Sequence, residues 1–257
     1  MIDPGTALRI DGKAALITGG TRGIGRAIAE ACAAAGADIC VVARKPDELD
    51  ETRRSIEALG VRCVTVQGSV ADPDVAESSV ATMVAELGRC DFVVNNAAVN
   101  PAFGPLMEAD MGAVAKVFDA NIAGPLRFTR AAWHAFLKDN GGAVLNIVSV
   151  GGMRPGPFIG AYNTSKAALI HLTRQLAQEL APSVRVNAIA PGLVKTDMAR
   201  ALWEPNEAGM AKAHAVGRLG VPDDIATGAL YLLSDAASWL TGEVLVIDGG
   251  AGVSGRG

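Results

Sequence analysis

The chain holds two tyrosines in 257 residues, and one of them, Tyr162, stands four residues before Lys166 in the stretch GAYNTSKAAL (160–169). Residues i and i+4 of a helix share a face, so phenol and ammonium can meet. A nearby cation favours phenolate over phenol. Two unit charges about 4 Å apart interact by about 4 kcal/mol at an effective dielectric of about 20. That corresponds to roughly three pKa units, against an ordinary tyrosine value of about 10. Desolvation opposes part of it. The pair is a candidate proton donor or acceptor near neutral pH; the alternative is a surface tyrosine beside a solvated lysine.

A second chemical signal lies near the start, in ALITGGTRGIGRAIAEACAAAGA (15–37). Gly19, Gly23 and Gly25 follow the spacing G-x-x-x-G-x-G between an apolar run and a helical pattern, with Thr21, Arg22 and Ile24 inside the turn. Glycines there allow a tight turn and bring the backbone close to a pyrophosphate at a helix N-terminus. In the strand–turn–helix context this reads as a dinucleotide site. Some twenty residues on, where a carboxylate would hold a ribose 2′-hydroxyl, VVARKPDEL (41–49) ends its apolar run on Ala43 and Arg44. Arg44, Lys45 and Arg22 supply positive charge, and a guanidinium pairs a phosphate through two parallel hydrogen bonds. The expected cofactor is NADP(H), with NAD(H) as the alternative.

The elements that must position these groups are visible as apolar runs at 14–18, 38–43, 62–66, 91–95, 143–149, 184–190 and 243–248. They are rich in Val and Ile and do not alternate strictly, as strands buried on both faces do not. Helical patterns separate them, Gly36 is placed to end the first, and Pro182 follows the helix that begins near Tyr162. The alternation predicts an α/β fold, a Rossmann-type doubly wound parallel sheet of about seven strands, as one domain over 1–257. Residues 192–221 form the one long stretch without a strand. MIDPGT at the start reads as a flexible lead-in.

Bulk properties narrow the function classes. Half the residues are apolar, and 27 acidic against 23 basic residues leave a net charge of −4, which argues against nucleic-acid and anionic-membrane binding. No apolar run is long enough to span a bilayer, and the N-terminus lacks a basic-then-apolar leader, so a soluble cytoplasmic protein is expected. Cys32, Cys40, Cys63 and Cys90 form no CxxC pair, and His134, His171 and His214 are scattered. No metal is expected.

Taken in order, the motifs resemble those of the short-chain dehydrogenase/reductase family over nearly the whole chain. TGGTRGIG (18–25) matches its glycine turn, NNAA (95–98) its NNAG segment, Asn121 its helix asparagine, and Ser149 stands thirteen residues before Tyr162 in Y-x-x-x-K. APGLVKT (190–196) matches its Pro-Gly motif, and 217–250 resembles 3-oxoacyl-carrier-protein reductase-like members. Ser69-Val70 departs from an Asp-Val pair, and Ala98 from a glycine.

The resemblance implies an oxidoreductase that moves a hydride between nicotinamide and a carbonyl or alcohol. Tyr162 would be the acid or base, and Lys166 would hold the nicotinamide ribose and lower the Tyr162 pKa. Ser149 would bond the substrate oxygen, and Asn121 would hold a water linking Lys166 to solvent. Besides the glycine turn and Arg44, the cofactor residues it implies are Ser69, Val70, Asn96, Ala97, Ala98, Tyr162, Lys166, Pro191, Gly192, Val194 and Thr196. It also implies a homotetramer and a lid over 192–221. Met198, Ala199, Leu202, Trp203 and Met210, with Met153, Phe158 and Ile159, suggest an apolar pocket. A 3-oxoacyl thioester, as in fatty acid metabolism, or a ketone would fit it. The readings set against this are a dinucleotide-sensing regulator, an NAD-dependent alcohol or steroid-type dehydrogenase, and, more remotely, an epimerase or dehydratase.

Overall fold

The structure, a computed structural model, describes residues 6–253; of the expected lead-in, all but Thr6 lies outside the described residues. Seven strands form one parallel sheet: β1 (Ala14–Thr18), β2 (Asp38–Ala43), β3 (Cys63–Gln67), β4 (Phe92–Asn95), β5 (Gly142–Ile147), β6 (Val184–Pro191) and β7 (Val244–Ile247). Their spatial order is β3-β2-β1-β4-β5-β6-β7. The order reverses between β1 and β4, where an open α/β sheet leaves a crevice at the carboxyl ends of its strands.

Side chains alternate across the sheet with period two. Ala15, Ile17, Ile39, Val41 and Leu145 face one layer, and Ala14, Leu16, Cys40, Val42 and Val144 the other. The first face is covered by α1 (Gly23–Ala34) and α2 (Pro46–Glu57). The second is covered by α3 (Pro73–Leu87). Local chemistry sets these limits. Gly36, at φ +98°, follows the end of α1. Asp72 caps α3 by accepting from Asp74 N, and Gly88, left-handed at φ +80°, ends it.

Residues 111–140 coil continuously as α4 (Met111–Phe118), a π-helical turn (Asp119–Ala123), α5 (Gly124–Ala132), a second π-helical turn (Trp133–Leu137) and α6 (Lys138–Asn140). α7 (Gly160–Leu180) carries the Tyr-x-x-x-Lys pair on its first two turns. Over 192–221 no strand forms. Short helices α8 (Arg200–Trp203) and α9 (Glu207–Lys212) rise from a stem closed by a parallel bridge between Val194 and Gly220. α10 (Pro222–Leu233) returns to pack beside α1.

All four cysteines are buried and unbonded, and burial pushes the thiols of Cys32, Cys63 and Cys90 up to about 12. They pack as small apolar groups. Among the described residues no helix is long and apolar enough to cross a membrane.

Candidate active site

The glycine turn is held from behind by the segment after β4. The Thr18 hydroxyl accepts from Asn96 N at 3.0 Å and Ala97 N at 3.1 Å. The Asn96 amide donates to the carbonyls of Thr18 at 2.9 Å and Gly19 at 3.1 Å. This packing dictates Gly25: a Cβ there would stand 2.3 Å from the Gly19 carbonyl oxygen and 2.4 Å from the Asn96 amide nitrogen. Gly19 is left-handed at φ +65°. The Thr196 methyl lies 3.3 Å from where a Gly23 Cβ would be, so the foot of the 192–221 segment overhangs the turn. Ile24 packs on the core below.

The remaining residues expected at the cofactor border the same end of the sheet. Gly124, opening α5, is pressed by the Val70 carbonyl oxygen, 3.0 Å from where its Cβ would be. The Ser69 hydroxyl accepts from Ala71 N. Pro191 ends β6, and Gly192 N donates to the Ile247 carbonyl on β7 at 2.9 Å. Val194 is buried. Ala97 and Ala98 are partly buried. The Asn96 side chain is tied into the turn, since both of its donor bonds go to turn carbonyls.

The structure adds a residue that the sequence reading did not single out. No carboxylate directly follows β2 beside Arg44. Glu48, one turn further on in α2, accepts from Lys45 Nζ at 2.7 Å and from the Thr21 hydroxyl at 3.0 Å. These partners, with the Arg22 charge, hold its carboxyl below the usual range. Residues i and i+3 of a helix meet on one face, which was the available signal. Arg44 itself is exposed.

Ser149, Tyr162 and Lys166 meet beyond the end of β5. Lys166 is 2% exposed and donates to the Ile147 carbonyl at 2.8 Å, with its nitrogen 5.5 Å from the Tyr162 ring centroid. Burial depresses the ammonium to about 7. Burial also pushes the Tyr162 phenol up to about 12, and a hydrogen bond with Ser149 offsets part of that rise. The Ser149 hydroxyl accepts from Gly151 N at 3.0 Å, which leaves its proton to donate. The expected lowering of the Tyr162 pKa by Lys166 is therefore not found. Desolvation dominates the Tyr162 shift, and burial depresses the neighbouring Lys166 as well.

Asn121 lies in the first π-helical turn and is fully buried. Its amide donates to the Val99 carbonyl at 3.0 Å and the Ser165 hydroxyl at 3.0 Å, and its oxygen accepts from Val99 N. Both amide hydrogens thus go to protein partners, and the side chain ties α7 to the loop after β4. A buried row runs below: Asn95 donates to Asn146 at 2.9 Å, and Asn146 to the Thr173 hydroxyl at 2.9 Å. Asn146, Thr173 and Ser165 escaped the sequence reading because isolated polar residues in apolar runs carry no motif.

At the mouth, Phe103 and Phe158 stack with centroids 5.9 Å apart, and Gly104 N donates to the Phe158 carbonyl at 2.8 Å. Phe158 is left-handed at φ +64°, a strained conformation for a bulky residue. Met153, Met198, Leu202 and Met210 are exposed. The Trp203 indole N–H donates to the Thr196 carbonyl, and Lys195 lies over its ring.

A parallel sheet with a glycine turn at its switch point, and a Ser–Tyr–Lys group beside it, defines a nucleotide-dependent α/β oxidoreductase. Comparison with known proteins places it further. A family model described as enoyl-(acyl carrier protein) reductase matches residues 19–252. Dehydrogenase/reductase SDR family member 4 of Caenorhabditis elegans is 36% identical over 96% of this chain and 98% of its own. Among solved structures, 7α-hydroxysteroid dehydrogenase complexed with NADH and 7-oxo glycochenodeoxycholic acid superposes with a TM-score of 0.92, at 32% identity over 97% of this chain and 98% of that one. L-Sorbose reductase from Gluconobacter frateurii, complexed with NADPH and L-sorbose, gives 0.89 at 32% identity over 95% and 98%. The chain belongs to the short-chain dehydrogenase/reductase family and is an NAD(P)-dependent oxidoreductase.

The dinucleotide such an enzyme uses fits the residues present. The cradle at Gly19–Gly25 leaves no room for a Cβ at Gly25, Arg22 lies within it, and Lys45 is joined to it through Glu48 and Thr21.

Proposed function

We propose that the chain is an NADP(H)-preferring dehydrogenase/reductase for an apolar carbonyl or alcohol, with Tyr162 as the acid or base. The observation that carries this reading is the convergence of Ser149, Tyr162 and Lys166 at the carboxyl end of β5, on the same side of the sheet as the glycine turn. The nicotinamide, when bound, would supply or accept the hydride. Tyr162 gives a proton to the developing alkoxide in reduction, or takes one from the alcohol in oxidation. Ser149 donates a hydrogen bond to that same oxygen, where charge develops. Lys166, anchored on the Ile147 carbonyl, would bond the nicotinamide ribose. Asn121 fixes α7 against the loop after β4, and the 192–221 segment acts as a lid.

Arg44, exposed and with no hydrogen bond or ion pair from its guanidinium among the described residues, supports NADP(H). Exposed Phe103, Phe158, Met153 and Met198 support an apolar substrate, a ketone or a 3-oxoacyl thioester. Assembly as a tetramer is part of the reading. Trp239 is fully exposed, and Val246 on the edge strand β7 is 41% exposed, surfaces that a symmetric contact would bury.

The test is a panel of ketones, 3-oxoacyl thioesters and alcohols followed by NAD(P)H absorbance, alongside dissociation constants for both cofactors. Wild type binds NADPH more tightly than NADH, and Arg44→Ala loses that preference. Equal binding by wild type, or a mutant that keeps the preference, refutes the role of Arg44. A monomer mass in solution at micromolar concentration refutes the tetramer.

A further inference from the structure

The border of the glycine turn contains a charge that the cofactor reading does not use. Thr21 and Arg22 belong to the turn, Lys45 follows Arg44 at the end of β2, and Glu48 stands among them. One carboxylate oxygen accepts from Lys45 and the other from Thr21. Glu48 is therefore bound by two of the groups that would otherwise be free to meet an anion.

A 2′-phosphate seeks cations and hydroxyl donors. A carboxylate in the same place holds those donors and repels a second anion. A 2′-hydroxyl has no charge to repel. We propose that Glu48 is a specificity-determining residue, a built-in carboxylate that competes with the 2′-phosphate of NADP(H) for Thr21 and Lys45 and so limits the preference for NADP(H) over NAD(H). The inference rests on the reading that the dinucleotide lies on this turn with its adenosine ribose toward Arg44. Arg44, which has no such internal partner, attracts the phosphate, and Glu48 opposes it. The cofactor ratio reflects the difference.

The experiment measures dissociation constants by calorimetry for wild type, Glu48→Gln and Glu48→Ala. The ligands are NADPH, NADH, 2′,5′-ADP and 5′-AMP. Cofactor-induced shifts in melting temperature serve as a second readout, independent of turnover. Both variants should bind NADPH and 2′,5′-ADP about three- to tenfold more tightly, the scale of one or two exposed charge interactions. NADH and 5′-AMP should stay within about twofold. The Glu48 side chain is 31% exposed, so the two variants are compatible with folding.

Unchanged affinities for the 2′-phosphate ligands overturn the proposal. So does a rise in the NADPH-to-NADH ratio caused by weaker NADH binding, which would make Glu48 a hydroxyl acceptor. The wild-type ratio tests the NADP(H) reading by itself. A wild type that prefers NADH but shifts toward NADPH in Glu48→Gln refutes that reading and leaves this one standing.

Discussion

The floor of the site and its mouth are built in opposite ways. On the floor, Thr18, Asn121 and Lys166 are almost fully buried, and each has partners fixed by geometry. At the mouth, Phe103, Phe158 and Met198 stand more than half exposed, and the loops there are joined by one phenyl stack and one backbone bond. Catalysis needs reacting groups placed to within fractions of an ångström, and a buried hydrogen-bonded scaffold supplies that. The mouth needs only apolar area, since burial of substrate there contributes roughly 25 cal/mol per Å² wherever it occurs. Reaction type is therefore tied to the rigid half, and substrate choice to the half that tolerates change.

The sharpest way to break the contrast is Tyr162→Phe, which keeps the ring and removes one oxygen. Turnover should fall by about 10²–10⁴-fold, the usual contribution of a general acid–base group, with cofactor affinity nearly unchanged. Near wild-type turnover on a substrate from the panel would show that another group moves the proton.

Gly25→Ala tests how rigid the floor is. The added methyl meets backbone at 2.3 Å; the Gly19 carbonyl cannot move without losing its bond from the Asn96 amide, nor Asn96 without losing its bonds to Thr18 and Val94. The cost should be about 1–3 kcal/mol in denaturant unfolding, with cofactor binding lost together with stability. A variant as stable as wild type would show that the turn can yield.

Lys166→Met gives a smaller, pH-dependent effect. The lysine is depressed to about 7 in the folded protein, from 10.5. Between those values the unfolded chain binds more protons, so the Lys166 contribution to stability rises with pH from about 7 to about 10.5 and is lost as pH falls. The melting temperature of wild type relative to Lys166→Met should therefore climb across that window. A flat difference would mean that the ammonium stays charged in place. Tyr162, raised to about 12 from 10, acts in the opposite sense and only above about pH 10.

Phe158→Ala should matter least to the fold. Losing the stack with Phe103 costs about 0.5–1.5 kcal/mol, with relief of a left-handed phenyl backbone only partial in alanine. The kinetic change should fall on KM for apolar substrates, with kcat kept within about twofold if Phe158 binds ground and transition states alike. A large fall in kcat with KM unchanged would place Phe158 in the catalytic machinery and blur the division.

Much of the floor was legible because its signals are local. β1 and β2 lie where their apolar runs stand, at 14–18 and 38–43, and the other strands differ at their ends by one or two residues. Glycine spacing, the i, i+4 pair and the order of motifs all survive in one dimension, since a strand, its turn and the following helix are contiguous in the chain. The protonation of the pair was not legible. The i, i+4 rule correctly puts Tyr162 and Lys166 on one face, but whether the ammonium lowers the phenol depends on how much water both retain. Packing by β5 and the loops of 95–100 and 149–160 decides that.

The amino-acid sequence by itself thus determined the parallel α/β architecture, the glycine cradle and the candidacy of Ser149, Tyr162 and Lys166, because each follows from neighbours within a turn or a strand. Only the tertiary structure decided that Asn121 ties α7 to Val99, that Asn146 bridges Asn95 to Thr173, and that Glu48 reaches Thr21, 27 residues away. These contacts join residues far apart in the chain, and their strength comes from desolvation, which exists only once the layers have closed.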